Sequence, residues 1–233
     1  MLFRSPAPTR CKQQAFTVAN MDPSLRLASL TAFYFGARVA ADPTTPKALE
    51  TVSRRAYRDL SRTLHGIAAH PEKDTLLTSI HTSLQDFVDS LEAVTSQDEF
   101  DHRHDTWCQD RIRFFDKHPH PERPGFRLAY GQAQKWINMT CKYLAVLDHP
   151  AVAGVYRFLH VPIDSIVYEE AAHPTTGIGV PHPPRGAAWS KLDRDQYRTY
   201  QHQLRENVAA SSDGTLTPLD WEASAWINRH STS

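Results

Sequence analysis

The chain has 233 residues, of which 40% are hydrophobic and 22% are charged, so it is long and apolar enough to bury a core of its own. Its 26 basic residues balance its 26 acidic residues, which excludes a strongly basic nucleic-acid-binding protein; a DNA-binding face would have to come from local clustering. The three cysteines, Cys11, Cys108 and Cys141, form no CxxC pair. A disulfide framework or a cysteine-based metal site is therefore not expected. The number and spacing of the cysteines predict that the protein resides in the reducing cytoplasm.

The first helices are predicted from apolar residues that recur at intervals of three and four. Asp22-Pro23 provides a helix start, and Pro43 and Pro46 interrupt the pattern. Residues 1–20 lack an apolar signal region and are expected to form a flexible arm. The spacing predicts helices over residues 23–41, 46–69, 72–94 and 98–117.

A proline-rich connector follows the fourth helix, and the next helix reaches about Leu147. Propensity alone starts that helix near Pro124-Gly125. Further predicted elements are helices over 150–159 and 162–172, a loop over 173–187, and helices over 193–210 and 217–229. No convincing β alternation and no apolar run of about eighteen residues occurs. The sequence thus predicts an all-α, non-membrane chain with one helical domain over 21–233.

Two charged residues in the central third point to chemistry. Lys135 lies in a helical stretch beside residues of core type, such as Ile137 and Cys141. Asp164 ends the sequence Val161-Pro162-Ile163-Asp164 and precedes another apolar helix. Taken singly, Asp164 has the character of an ordinary helix N-cap and Lys135 that of a solvated helix residue.

Taken together, Gly131-x-x-x-Lys135 and Val161-Pro162-Ile163-Asp164 resemble the helix-hairpin-helix DNA glycosylases, especially the 8-oxoguanine branch and the archaeal GO glycosylases. The resemblance covers about 45 residues, and it implies a glycosylase-like core at about 98–172. It implies that Asp164 is the catalytic carboxylate and Lys135 a nucleophile. It also implies a turn close to Tyr130-Gly131; Ala133 stands where the family has a second glycine.

The reaction explains the need for a carboxylate and an amine. Breaking an N-glycosidic bond builds positive charge on the sugar, which Asp164 would stabilise while it orients or deprotonates the nucleophile. Attack by water leaves an abasic site, whereas attack by Lys135 gives a covalent imine and permits strand cleavage. No metal or other cofactor is expected.

Base flipping calls for an aromatic pocket and for contacts to the phosphate backbone. The candidates for the base pocket are Tyr130, Trp136, Tyr168 and Trp189, each of which can alternatively be a core aromatic. The candidates for DNA binding are Gly131, Gln132, Arg127, Lys142, Arg58 and Arg62. Glycines of the family's hairpin expose amides to phosphate, and Arg54, Arg58 and Arg62 share one helix face, although such a face can also be merely solvated.

The expected partner is double-stranded DNA carrying a modified base, with no membrane and no obligate protein partner. The nearest branch implies oxidised guanine. Compact bacterial proteins of the 8-oxoguanine-glycosylase fold are also associated with phage defence, where one activity removes glucosylated hydroxymethylcytosine. The long loop 173–189 would leave room for such a bulky base.

Other readings compete with a glycosylase. Arg113 and His118 fit the Arg-x4-His pattern of helical HEPN ribonucleases. The pairs His102-x-His104 and His118-x-His120 lack a third metal ligand in sequence. A further reading is a non-catalytic helical nucleic-acid-binding or assembly module. In such a module Asp164 is only a helix cap, and neither Lys135 with Asp164 nor Arg113 with His118 has a catalytic role.

Overall fold

The computed structural model describes residues 21–183 and 187–229, and within these ranges it contains helices and no strand. The α-helices are α1 (Pro23–Phe35), α2 (Ala37–Ala41), α3 (Pro46–Leu60), α4 (Lys73–Ser90), α5 (Gln97–Asp116), α6 (Tyr130–Val146), α7 (Pro150–Gly154), α8 (Ser165–Ala171), α9 (Arg194–Ser211) and α10 (Pro218–Asn228). Short 3-10 turns lie at Ile67–Ala69, Leu91–Ala93, Tyr156–Phe158 and Trp189–Lys191. The all-α prediction is confirmed for the described residues. None of their helices is long and apolar enough to cross a membrane.

Local sequence signals explain most helix starts. The side-chain oxygens of the residues preceding α1, α3, α5, α8, α9 and α10 accept backbone N–H groups of the first turn: Asp22, Thr45, Ser96, Asp164, Asp193 and Thr217. Proline opens α1, α3, α7 and α10, where its missing N–H costs nothing. The predicted helices at 72–94, 98–117, 193–210 and 217–229 agree with the structure to within a few residues.

Other predicted helices are shorter or broken. Gly36 adopts φ +95° and separates α1 from α2, and Gly66 at φ +120° follows the early end of α3. Gly125 at φ +100° belongs to the connector, so α6 begins at Tyr130 rather than near Pro124. Residues 159–164 are non-helical, and α8 starts only at Ser165. The expected arm at 1–20 lies outside the described residues.

The helix α6 occupies the centre of the fold. It packs most extensively against α3, and also against α5, α9 and the Trp189–Lys191 turn. All residues from Tyr130 to Cys141 are buried. The core cluster that surrounds them runs from Phe35 to Trp221. Cys108 and Cys141 are buried, free thiols in this core.

Close approach at the start of α6 requires glycine at position 131. A Cβ there would overlap the carbonyl oxygen of Trp189 and crowd Ser190. The Gly131 N–H donates to the carbonyl of Leu192 at 3.0 Å. Gly131 therefore fixes the Trp189–Lys191 turn against α6.

We predict that Gly131→Ala lowers the free energy of unfolding by about 1–3 kcal/mol or displaces the Trp189 turn, because the added methyl group has no space. Gly154→Ala is the matched control, since a Cβ there meets nothing within 4 Å and alanine favours the helix. Urea unfolding of both variants measures the difference. Equal stability of the two variants would contradict the packing role of Gly131.

Candidate functional site

The segment Val161–Asp164 crosses the interior in extended form, and side chains satisfy its backbone. Val161 exchanges hydrogen bonds with the Gln201 amide, whose oxygen accepts from the Val161 N–H at 3.2 Å and whose nitrogen donates to the Val161 carbonyl at 2.5 Å. The next two carbonyls accept from side chains of α6: Pro162 from Lys135 at 2.9 Å, and Ile163 from Gln134 at 3.2 Å. These contacts hold the backbone that delivers Asp164.

Lys135 and Asp164, which the sequence places apart, form an ion pair. Lys135 Nζ lies 2.7 Å from Asp164 Oδ2, and their side chains are 5% and 15% exposed. The other carboxylate oxygen, Oδ1, accepts the Val167 N–H at 2.9 Å and so caps α8. One carboxylate therefore serves both as a helix cap and as the partner of a buried cation.

The pair lines an open cleft with a volume of about 560 Å³, within the usual range for small-ligand sites, roughly 300–1,000 Å³. Helix α3 contributes Arg58 and Asp59, the turn after it contributes Arg62 and Thr63, and α6 contributes Lys135, Met139, Lys142 and Tyr143. The other walls are formed by Asp164, Ser165, Ile166, Trp189, Glu222 and Trp226. A second cavity of about 570 Å³ lies between α4 and α5 and contains neither Lys135 nor Asp164.

Two cations of the cleft have no carboxylate partner within the described part of the chain. These are Arg58, on α3, and Arg62, in the turn that follows α3, and both are exposed. Lys142, in contrast, is paired with the buried Glu222, at 2.5 Å from Oε2. Because an unpaired guanidinium is free to bind an anion, Arg58 and Arg62 make this rim suitable for a phosphate group.

Of the four aromatic residues predicted for a base pocket, only Trp189 lines the cleft, where its ring centroid lies 6.0 Å from Lys135 Nζ. Trp136 is fully buried and donates its indole N–H to Ser53. Tyr130 donates its hydroxyl to Asp105, and Tyr168 packs edge-on against Tyr200. These three are core aromatics, so the base-pocket prediction needs correction to Trp189 alone.

The predicted phosphate contacts at the start of α6 also need correction. The Gly131 N–H already donates to the Leu192 carbonyl, and Gly131 is buried. Gln132 is buried as well; its amide oxygen accepts the Ala129 N–H and its nitrogen donates to the Thr63 carbonyl. Arg127 is exposed but does not line the cleft. Arg58, Arg62 and Lys142 remain as cleft cations among the predicted DNA-binding residues.

Sequence reasoning missed Asp59, Tyr143 and Trp226 in the cleft. Asp59 Oδ2 accepts the Tyr143 hydroxyl at 2.8 Å, and Trp226 is 37% exposed near the end of α10. An available signal was that Asp59 adjoins Arg58 on a helix already considered for phosphate contact. Which helix faces Lys135 could not be read from these residues, since that depends on long-range packing.

The competing residues are not gathered into a site. Arg113 is exposed and paired with Asp110, while the His118 ring stacks on Phe114 and bonds its carbonyl at 2.8 Å. His102 is exposed whereas His104 is buried, although only one residue separates them. The described residues contain no group of three side chains with metal-binding geometry.

A buried polar network lies behind the extended segment. His160 bonds Asp101 at 2.7 Å through Nε2 and the Tyr197 hydroxyl at 2.8 Å through Nδ1. Asn138 joins Tyr197 to His104, with distances of 2.8 and 2.9 Å. Burial lowers the pKa of both histidines below the ordinary value of 6.5, so the neutral imidazoles are the forms that the fold accommodates.

Comparison with known proteins gave no relative: no family model matches the chain, and no curated protein or solved structure is significantly similar to it.

We predict that Asp164→Asn and Asp164→Ala separate the two roles of this side chain. Asparagine keeps an oxygen for the Val167 N–H, whereas alanine removes the cap as well as the charge. Thermal or urea unfolding should show Asp164→Ala to be less stable than Asp164→Asn by about 1 kcal/mol. Equal stabilities would show that the cap contributes nothing.

We also predict that stability falls in acid because of the buried histidines. Below about pH 6.5 the unfolded chain binds protons that folded His104 and His160 do not, so the free energy of unfolding decreases as pH falls, by up to about 1.4 kcal/mol per pH unit for each histidine. Urea unfolding from pH 7.5 to 5 measures the slope. His104→Gln should flatten it, whereas His65→Gln, at an exposed position, should not; identical slopes in both variants and the wild type would contradict this origin.

Proposed function

We propose that the protein is a DNA glycosylase that flips a modified base out of the duplex and cleaves its N-glycosidic bond. The single observation that carries the proposal is the contact between Lys135 and Asp164, 2.7 Å apart in the wall of a cleft. The sequence resemblance assigns catalysis to the same two residues. An accidental motif match does not require two residues on different elements to meet in a cavity, which is why their contact supports the assignment.

The chemistry assigned to Asp164 needs a carboxylate close to the sugar. As the C1′–N bond breaks, its electron pair leaves with the base and C1′ becomes positively charged. The Asp164 carboxylate stabilises this charge, and a water molecule then attacks C1′ and gives its proton to Asp164. The product is an abasic site together with the free base.

Lys135 supports this step in one of two ways. As an ammonium ion it keeps Asp164 oriented, because it also donates to the Pro162 carbonyl and is thereby fixed. As a neutral amine, after passing a proton to Asp164, it attacks C1′ itself and forms an imine once the sugar ring opens. Only the second route leads to strand cleavage, so trapping the imine with borohydride distinguishes them.

DNA binding is assigned to the cationic rim and to Trp189. Arg58, near the end of α3, and Arg62, in the turn after it, are exposed and lack carboxylate partners in the described part of the chain, which suits them to contact a phosphate backbone. The Trp189 ring provides a surface on which a flipped base can stack. The substrate is then double-stranded DNA with a modified base.

Glucosylated hydroxymethylcytosine in phage DNA is the substrate that we favour, with 8-oxoguanine as the alternative. The cleft of about 560 Å³ is open to solvent on one side, so a sugar attached to the base has room to project outward. Removal of such a base would serve antiviral defence in the cytoplasm. The need for space is the argument that favours the bulkier base.

We predict that the wild-type protein releases base from at least one DNA in a panel of glucosylated phage DNA, 8-oxoguanine duplex, uracil duplex and unmodified duplex. Alkali cleavage of the treated DNA detects the abasic sites. Asp164→Asn should lower the single-turnover rate by about 10²–10⁴-fold, as for loss of a catalytic acid–base group. Lys135→Ala should abolish borohydride trapping if the amine is the nucleophile.

Asp110→Asn is a matched control, because it makes the same chemical change on α5, outside the cleft, at a side chain that is 45% exposed. It should retain the wild-type rate. Base release by the wild type and by Asp164→Asn at equal rates would contradict the catalytic assignment. No release from any DNA in the panel would contradict the proposed function as stated.

A further inference from the structure

The cleft contains a second aspartate that the assigned chemistry does not use. Asp59, on α3, lines the same cavity as Asp164. Its Oδ2 accepts the Tyr143 hydroxyl at 2.8 Å, whereas its Oδ1 makes no hydrogen bond to any described residue. One oxygen is therefore held in place and the other is left for a ligand in the cleft.

Asp59 is exposed, and hydrogen bonds also link it to two tyrosine hydroxyls. The Tyr143 hydroxyl lies 3.1 Å from the hydroxyl of Tyr34, and Tyr34, on α1, is 44% exposed. Asp59 can therefore exchange its proton with solvent either directly or through the path formed by the Tyr143 and Tyr34 hydroxyls. Hydroxyl groups both donate and accept, so such a path can pass protons in either direction.

The environments of the two carboxyl groups differ. Desolvation raises the pKa of Asp59 above its ordinary value, and the negative charge of Asp164 acts in the same direction. The hydrogen bond from Tyr143 and the charges of Lys135 and Lys142 lower that pKa in part. Asp164, by contrast, contacts the ammonium group of Lys135 directly. The other charged groups in the cleft are Arg58, Arg62 and Glu222, the last paired with Lys142.

We propose that Asp59 is the general acid of the glycosylase reaction, which protonates the departing base and regains its proton from solvent. This inference rests on the proposed function and adds a second catalytic residue to it. Asp59 then acts as the acid, and Asp164 stabilises the charge on the sugar and accepts the proton of water, a pair of roles found in other cleavages of glycosidic bonds.

The proton balance of the reaction follows directly. The C1′–N bond breaks, its electron pair goes to the base, and the proton of Asp59 passes to that base. Water attacks C1′ and gives a proton to Asp164. Asp164 then loses this proton to solvent, and Asp59 regains one from solvent, directly or through the Tyr143 and Tyr34 hydroxyls.

The experiment measures single-turnover base release between pH 4 and 9, a window that starts near the ordinary pKa of 3.8 for an aspartate, on whichever DNA of the four-member panel the wild type cleaves. A general acid must be protonated, so the wild-type rate should fall as pH rises through the pKa of Asp59. Asp59→Asn should lower the rate by about 10²–10⁴-fold and remove that fall, since asparagine cannot donate a titratable proton. Its amide oxygen still accepts the Tyr143 hydroxyl, which preserves the local structure.

A second variant keeps Asp59 and changes its proton affinity. Tyr143→Phe removes a hydrogen bond that lowers the pKa of Asp59, so the alkaline fall in rate should move to higher pH. Asp86→Asn, on the exposed surface of α4, is the matched control and should keep the wild-type rate and profile. Fluorescence anisotropy should show unchanged DNA binding by Asp59→Asn.

The outcomes separate this inference from the proposed function. Base release by Asp59→Asn at the wild-type rate, or with the wild-type pH profile, overturns the role of Asp59 and leaves the glycosylase assignment intact. An unshifted profile for Tyr143→Phe also overturns it. Absence of base release by the wild type from every DNA overturns both.

Discussion

The backbone of Val161–Asp164 imposes the main constraint on this molecule. It runs extended through the interior, and the described residues provide no strand to pair with it. Because an unpaired buried peptide group is costly, its N–H and C=O groups must be satisfied by side chains. Gln201, Gln134 and Lys135 meet this need, and their hydrogen bonds tie the segment to both α6 and α9.

This constraint explains the unusual composition of the central helix. Buried helices are ordinarily apolar, yet α6 buries Gln132, Gln134, Lys135 and Asn138. Burial of polar groups is tolerated only when each finds a partner. Here the partners are backbone carbonyls and other buried side chains, so the polarity of α6 matches what an extended segment requires. The position of Asp164 follows from the same network, which ends in the cleft lined by Lys135 and Asp164.

The cleft contains both acidic and basic side chains, which lie in different environments. The ammonium group of Lys135 balances the negative charge of Asp164 at a buried position, whereas Arg58 and Arg62 lie at the exposed rim of the cleft. Asp59, on α3, accepts the hydroxyl of Tyr143 from α6, and the Tyr143 hydroxyl lies against that of Tyr34. Carboxyl groups in different environments can hold different protonation states at one pH, which is the requirement for acid and base chemistry in a single site.

Much of the architecture follows from local sequence. Caps such as Ser96 and Thr217, prolines at helix starts and apolar spacing predict the helices, and the Lys135 and Asp164 motifs identify the two residues that meet. The breaks at Gly36 and Gly66 were missed, since a glycine breaks a helix only where the fold needs its positive φ. The sequence predicted Tyr130, Trp136 and Tyr168 as base-pocket residues because the same aromatic residue types occur in buried cores and in clefts. Only the tertiary structure adds Asp59, Tyr143 and Trp226 to the site. Helix periodicity is a property of residues close together in sequence. The meeting of α3, α6 and α10 depends instead on long-range packing.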